Sequence, residues 1–96
     1  MDTVIVTRHA GLVRWLKSRG IVGLVIAQAT PSDVTGKDVV GVLPLHLAAL
    51  AESVTVVDMP GLRVDQRGVD LTPEEMDAAG ATLQRYKVTK LDAHNG

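Results

Sequence analysis

Ninety-six residues with a net charge of −1, from ten basic and eleven acidic side chains, give one small domain without the basic excess that grips a long nucleic acid. The absence of cysteine removes a disulfide framework, a thiolate nucleophile and thiolate zinc sites together. The apolar 46% is nearly all aliphatic, with no Phe, so Trp15 and Tyr86 are the only platforms for base stacking.

Along the chain, Thr3 to Thr7 is a β-branched run and reads as a buried first strand. Arg8-His9-Ala10-Gly11 breaks that pattern. Leu12, Val13, Trp15 and Leu16 then share a helical face, with Arg14, Lys17 and Ser18 facing away and Gly20 as the stop. Val22 to Ala27 reads as a second buried strand. Strand, short helix, strand is a βαβ unit, which is parallel.

Thr30-Pro31-Ser32-Asp33 reads as a turn or the cap of a very short helix. Gly36 to Asp38 is a loop that leads into a third strand, Asp38 to Leu43. Pro44 suits a first helical position, where its missing N–H has no partner to lose. The helix continues to about Glu52, and Thr55 to Asp58 is a fourth strand. Met59 to Leu71 is a long polar loop, read as functional or interfacial. Thr72-Pro73-Glu74-Glu75 is a capping box, which opens a helix that ends near Gly80. Leu83 to Leu91 alternates as an edge strand, and Asp92 to Gly96 is expected to fray.

These elements predict a single α/β domain over residues 1–91, with a mainly parallel sheet of four or five strands. Helices are expected near 11–19, 44–52 and 73–80. No apolar run approaches the ~20 residues of a membrane span. The first strand begins almost at Met1, so no signal peptide is expected, and the chain is expected to be cytoplasmic. A domain of this size buries only roughly 60–65% of its unfolded surface. It has little interior for a deep pocket, and a homodimer with the ligand at its two-fold axis is expected.

Ligands of parallel sheets bind beyond the C-terminal ends of the strands. That rule selects Thr7-Arg8-His9, Gln28 to Pro31 with Thr30 among them, and Leu43-Pro44-Leu45-His46, with Asp58-Met59-Pro60 adjacent. Arg8 offers a planar donor fork for phosphate, and His9 can donate a hydrogen bond or shuttle a proton. The alternative is that both cap the sheet edge and bind water. Leu45 and His46 open a helix whose N–H groups and dipole favour an anion; the alternative is a plain helix start with one exposed histidine. Arg63 and Arg67 in the long loop either close over an anion or are solvated surface arginines. Lys87 and Lys90 read as charges that protect the edge.

Other motifs are missing. There is no GxGxxG and no GxxxxGK[ST]. His9, His46 and His94 are the only histidines, and no HExxH-type spacing joins them, so no metal and no cofactor is expected. Thr7-Arg8-His9 is reminiscent of the Arg-His-Gly start of histidine phosphatases, but Ala10 stands where that motif has Gly, and the chain is too short.

The ordered set Val6-Thr7-Arg8-His9, Trp15-Leu16, Gly41 to Ala48 (Gly-Val-Leu-Pro-Leu-His-Leu-Ala), Arg67-Gly68 and Thr72 to Met76 resembles the small Csx-type proteins of type III CRISPR loci, the sixteenth Csx family, over about residues 3–90. The resemblance implies a Rossmann-like domain related to the CARF sensor domains that bind cyclic oligoadenylates. It also implies a stand-alone ring nuclease that cleaves cyclic tetra-adenylate and so switches the response off. On that reading Arg8, His9 and His46 are the catalytic candidates. Thr7, Gln28, Thr30, Pro44, Leu45, Arg63 and Arg67 are the ligand-binding ones. A protein that sequesters the messenger without cutting it, or a regulatory partner of a CRISPR effector, are the alternatives.

Overall fold

The computed structural model describes residues 2–91. Five strands and four helices alternate: β1 (Thr3–Val6), α1 (Ala10–Ser18), β2 (Leu24–Ile26), α2 (Pro31–Val34), β3 (Asp38–Val40), α3 (Leu45–Ala48), β4 (Ser53–Asp58), α4 (Pro73–Ala78) and β5 (Thr82–Tyr86). The strand order is β2-β1-β3-β4-β5. The first four strands run parallel, and β5 joins β4 antiparallel. This is a small Rossmann-like sheet with helices on both faces.

The two faces follow from the alternation of side chains along each strand. Ile5 and Val40 pack with Trp15, Leu16, Leu71 and Met76 beneath α1 and α4. Val39 and Val54 pack with Val34, Leu47, Ala48 and Ala51 beneath α2 and α3. Full burial of a side chain such as Ile5 or Leu16 contributes roughly 1.5–3 kcal/mol. Trp15, 1% exposed, belongs to this core and is no stacking platform. Its Nε1 donates to Asp77 Oδ1 at 2.8 Å, Arg19 donates to the same oxygen at 2.7 Å, and the Arg19 guanidinium lies 5.0 Å from the Trp15 ring centre. These contacts tie α1 to α4.

Helix ends agree with their sequence signals. Thr72 Oγ1 accepts from Glu75 N, and Glu75 Oε1 accepts from Thr72 N, at 3.2 and 3.0 Å. Helices α1 and α4 both stop in paired C-terminal bonds, Ile21 N to Leu16 O with Gly20 N to Lys17 O, and Ala81 N to Met76 O with Gly80 N to Asp77 O.

Several boundaries differ from expectation. The second strand is shorter, Leu24–Ile26. The third ends at Val40, because Gly41 takes φ +137° and turns the chain. Pro44 is the N-cap of α3, with ψ 149°, and α3 is a single turn that ends at Ala48. The last strand stops at Tyr86, so Lys87 and Lys90 lie beyond it. Lys87 Nζ donates to the Ala51 carbonyl at 3.1 Å and fastens that segment to the α3–β4 junction. The long loop holds one 3-10 turn, Val64–Gln66. Among the described residues no helix is long and apolar enough to cross a membrane. The tail expected to fray, 92–96, and with it His94, lies outside the described residues.

Candidate functional site

Strand order reverses between β1 and β3. From β1 the chain crosses outward to β2, and from β3 it proceeds the other way to β4. Such a reversal leaves a crevice between the two outgoing loops at the C-terminal edge. A cleft of about 410 Å³ occupies this place. Thr7, Arg8 and His9 enter it from the end of β1, Gly41 and Val42 from β3, and Val56, Val57 and Met59 from β4. Leu12 of α1, Met76 of α4, and Val69 and Leu71 of the long loop complete the walls. Among the described residues the lining contains no acidic side chain. It offers an aliphatic floor and a rim of hydroxyl, guanidinium and imidazole.

Local geometry holds the rim. Thr7 N donates to Ile26 O at 2.9 Å, and Thr7 Oγ1 accepts from His9 N at 3.1 Å, so the turn into α1 is pinned at both ends. His9 is the N-cap of α1 in extended conformation, and its side chain makes no capping bond. The N-terminus of α1 is satisfied from afar, since Gly11 N donates to Asp70 Oδ1 at 2.9 Å. That contact needs glycine: a Cβ at position 11 would stand 1.7 Å from the Leu71 carbonyl oxygen. The long loop is thereby seated on α1 and forms a wall of the cleft. Gly41 works similarly on the other side, where a Cβ would meet Val6 O at 2.5 Å. Its absence lets β3 end close against β1.

Arg8 and His9 are exposed, and Arg8 makes no ion pair among the described residues. The carboxylates whose pKa values are shifted lie elsewhere. Asp77 is lowered by the Trp15 and Arg19 hydrogen bonds, and Asp33 by the backbone N–H and hydroxyl of Thr30. Asp38 is lowered by the Ser53 hydroxyl, with Arg85 adding, against a smaller opposing effect of desolvation. Asp2 is lowered by Lys37. These groups serve caps and ties, not the cleft.

Of the residues singled out from sequence, Thr7, Arg8 and His9 come together here. Met59, placed beside the site from sequence, lines the cleft as well, and the other candidate site residues do not. Pro44, Leu45 and His46 are exposed at the start of α3, which is too short to build a sizeable dipole. Thr30 is engaged in capping α2, its hydroxyl donating to Asp33 Oδ2 at 2.7 Å. Gln28 is exposed and makes no hydrogen bond with a described residue. Arg63 lines a separate recess against α4, with Gly61, Gln66 and Glu75, and pairs with Asp65 at 3.2 Å. Arg67 is exposed in the loop. Sequence reasoning missed the other aliphatic walls, Val42, Val56, Val69, Leu71 and Met76, and the Asp70 cap. Only the length of the 59–71 loop hinted at Val69, Asp70 and Leu71. Among the described residues no three His, Asp or Glu side chains cluster as a metal site.

The chain is thus a small Rossmann-like domain with a cleft at its strand-order switch, aliphatic within and cationic at the rim. Residues 4–89 match the family model described as "Putative CRISPR-associated protein (Cas_VVA1548)", and the chain belongs to that family. No curated protein and no solved structure matches it.

Proposed function

We propose that this CRISPR-associated protein is a ring nuclease that binds and cleaves a cyclic oligoadenylate, cyclic tetra-adenylate in particular, as its resemblance to the sixteenth Csx family implies. The observation that carries the reading is the cleft at the β1/β3 switch, with Arg8 and His9 on its rim, neither in an ion pair among the described residues, and aliphatic walls suited to a purine. Pockets of roughly 300–1,000 Å³ enclose ligands of drug size. At about 410 Å³ this cleft is nucleotide-sized, and a ring of four nucleotides exceeds it. The reading therefore includes a homodimer with the ring across its two-fold axis, where each protomer presents the same rim.

In this mechanism the nucleophile is the substrate's own ribose 2′-OH. Its oxygen attacks the adjacent phosphorus, the bond from phosphorus to the 5′ oxygen breaks, and the product carries a 2′,3′-cyclic phosphate and a free 5′-OH. The protein holds the hydroxyl in line with the departing oxygen, a positioning effect worth several kcal/mol. Arg8 neutralises charge that grows on the phosphoryl oxygens. His9 delivers the proton to the 5′ oxygen, and the hydroxyl's own proton passes to water. No step calls on a metal, so activity survives EDTA.

A second reading has one observation in its favour. Among the described residues His9 is the single acid–base group on the rim, which suits a protein that sequesters the messenger without cutting it. Incubation of the purified chain with cyclic tetra-adenylate, followed by chromatography and mass spectrometry, separates the two. A linear product with a 2′,3′-cyclic phosphate, formed with EDTA present, is expected. Tight binding without product means sequestration, and neither binding nor product means that the ligand class is wrong.

A further inference from the structure

The Thr7-Arg8-His9 turn has a recess on both of its flanks. The first is the cleft described above. The second, about 400 Å³, lies between α1 and the edge strand β2. It shares Thr7, Arg8 and His9 and adds Val13, Arg14 and Val25. The sequence pattern places Arg14 on the solvent side of α1, and it is indeed exposed, but it stands one turn along from Ala10 on the face that borders this recess. It makes no ion pair among the described residues. Val25 is 44% exposed, which leaves an apolar surface beside the guanidinium. Two guanidinium groups, Arg8 and Arg14, thus flank a hollow with an apolar wall, and among the described residues neither has an ion-pair partner and no acidic residue lines the hollow.

We infer that this recess is a second nucleotide subsite, so that one protomer holds a dinucleotide astride the Arg8–His9 turn, with Arg14 as a phosphate-binding residue. The inference rests on the nucleotide reading of the cleft and extends it. One nucleoside lies in the switch-point cleft and its neighbour in the α1–β2 recess. The phosphodiester that joins them crosses the turn at Arg8 and His9, and Arg14 takes the next phosphate. Two such protomers around a two-fold axis account for four nucleotides, which supplies a physical reason for a four-membered ring.

Calorimetric titration with AMP and with linear 5′-phosphorylated diadenylate tests this. Wild-type protein is expected to bind the diadenylate about tenfold or more tighter than AMP, since the second nucleoside and the second phosphate add contacts that AMP lacks. Arg14→Ala should lower diadenylate affinity by about tenfold while AMP affinity falls far less. Arg14→Lys should recover part of the loss, because charge remains while the planar fork does not. Lys17→Ala, an exposed cation on the same helix, should bind both probes like wild type. Equal affinity of wild type for the two probes overturns the second subsite, as does an Arg14→Ala protein that binds diadenylate normally. If Arg14→Ala still cleaves cyclic tetra-adenylate at the wild-type rate, the subsite fails and the ring-nuclease reading stands. If wild type binds neither probe and cleaves nothing, both fall together.

Discussion

Two strand-to-helix junctions look alike in the sequence and differ in the folded chain. After β1 come Thr7, Arg8 and His9; after β3 come Pro44, Leu45 and His46. Each carries a histidine at the C-terminal edge of a parallel strand. The first leads into a nine-residue helix that buries Trp15 and Leu16, and the long loop is fastened against it through Asp70 and Gly11. The second leads into a four-residue helix whose opening residues, with Leu45 76% exposed, line none of the described recesses that flank the first junction. Chemistry at a sheet edge therefore depends less on the residues of one loop than on what the rest of the chain places opposite them.

The strongest way to break this comparison is through the two histidines. His9→Ala is expected to slow single-turnover cleavage of the cyclic ligand by about 10²–10⁴, the usual scale of general acid–base help. His46→Ala should leave the rate within about threefold of wild type, since no such help is removed. A larger effect at position 46 would mean that the two junctions meet across a dimer. Arg8→Ala should weaken binding of the same ligand by about tenfold to a hundredfold and slow cleavage as well, as loss of a charge-assisted phosphate contact does. Filter binding at two salt concentrations reads it, and a wild-type affinity in the variant would remove Arg8 from the site.

Stability measurements sharpen the structural half of the contrast. Gly11→Ala forces a Cβ against the Leu71 carbonyl, and a loss of about 1–3 kcal/mol is expected in urea unfolding, as for other overpacked positions. A neutral result would mean that the long loop does not sit on α1. The smallest effect concerns acid. Asp77 has its carboxyl lowered in the folded protein by Trp15 and Arg19, so the unfolded chain binds this proton more readily. The stabilisation is present above the ordinary carboxylate range and is lost as pH falls below about 4. Thermal unfolding across that window should show Asp77→Asn to be less acid-sensitive than wild type. An unchanged acid slope would assign the loss to the other depressed carboxylates, Asp2, Asp33 and Asp38.

Local signals were enough for the elements themselves. The β-branched run Thr3 to Val6, the capping box from Thr72 to Glu75, and the stops at Gly20 and Gly80 act over a few residues, where backbone sterics and short hydrogen bonds decide. Alternation of strands and helices was enough for a parallel sheet, and the strand-end rule led to Thr7, Arg8 and His9. The rest was not local. Gly41 ended β3 early because the chain there approaches Val6, a contact that no neighbouring residue announces. Asp70 caps a helix 59 residues away, and Val69, Leu71 and Met76 become cleft walls only when the loop and α4 fold over the switch between β1 and β3. Thr30 and Arg63 carry side chains fit for a ligand, yet the fold engages one in a cap and turns the other toward α4. Residue type and spacing set what each side chain can do; only strand order and long-range packing decided which of them share one cleft, because those distances are fixed by contacts between segments far apart in the chain.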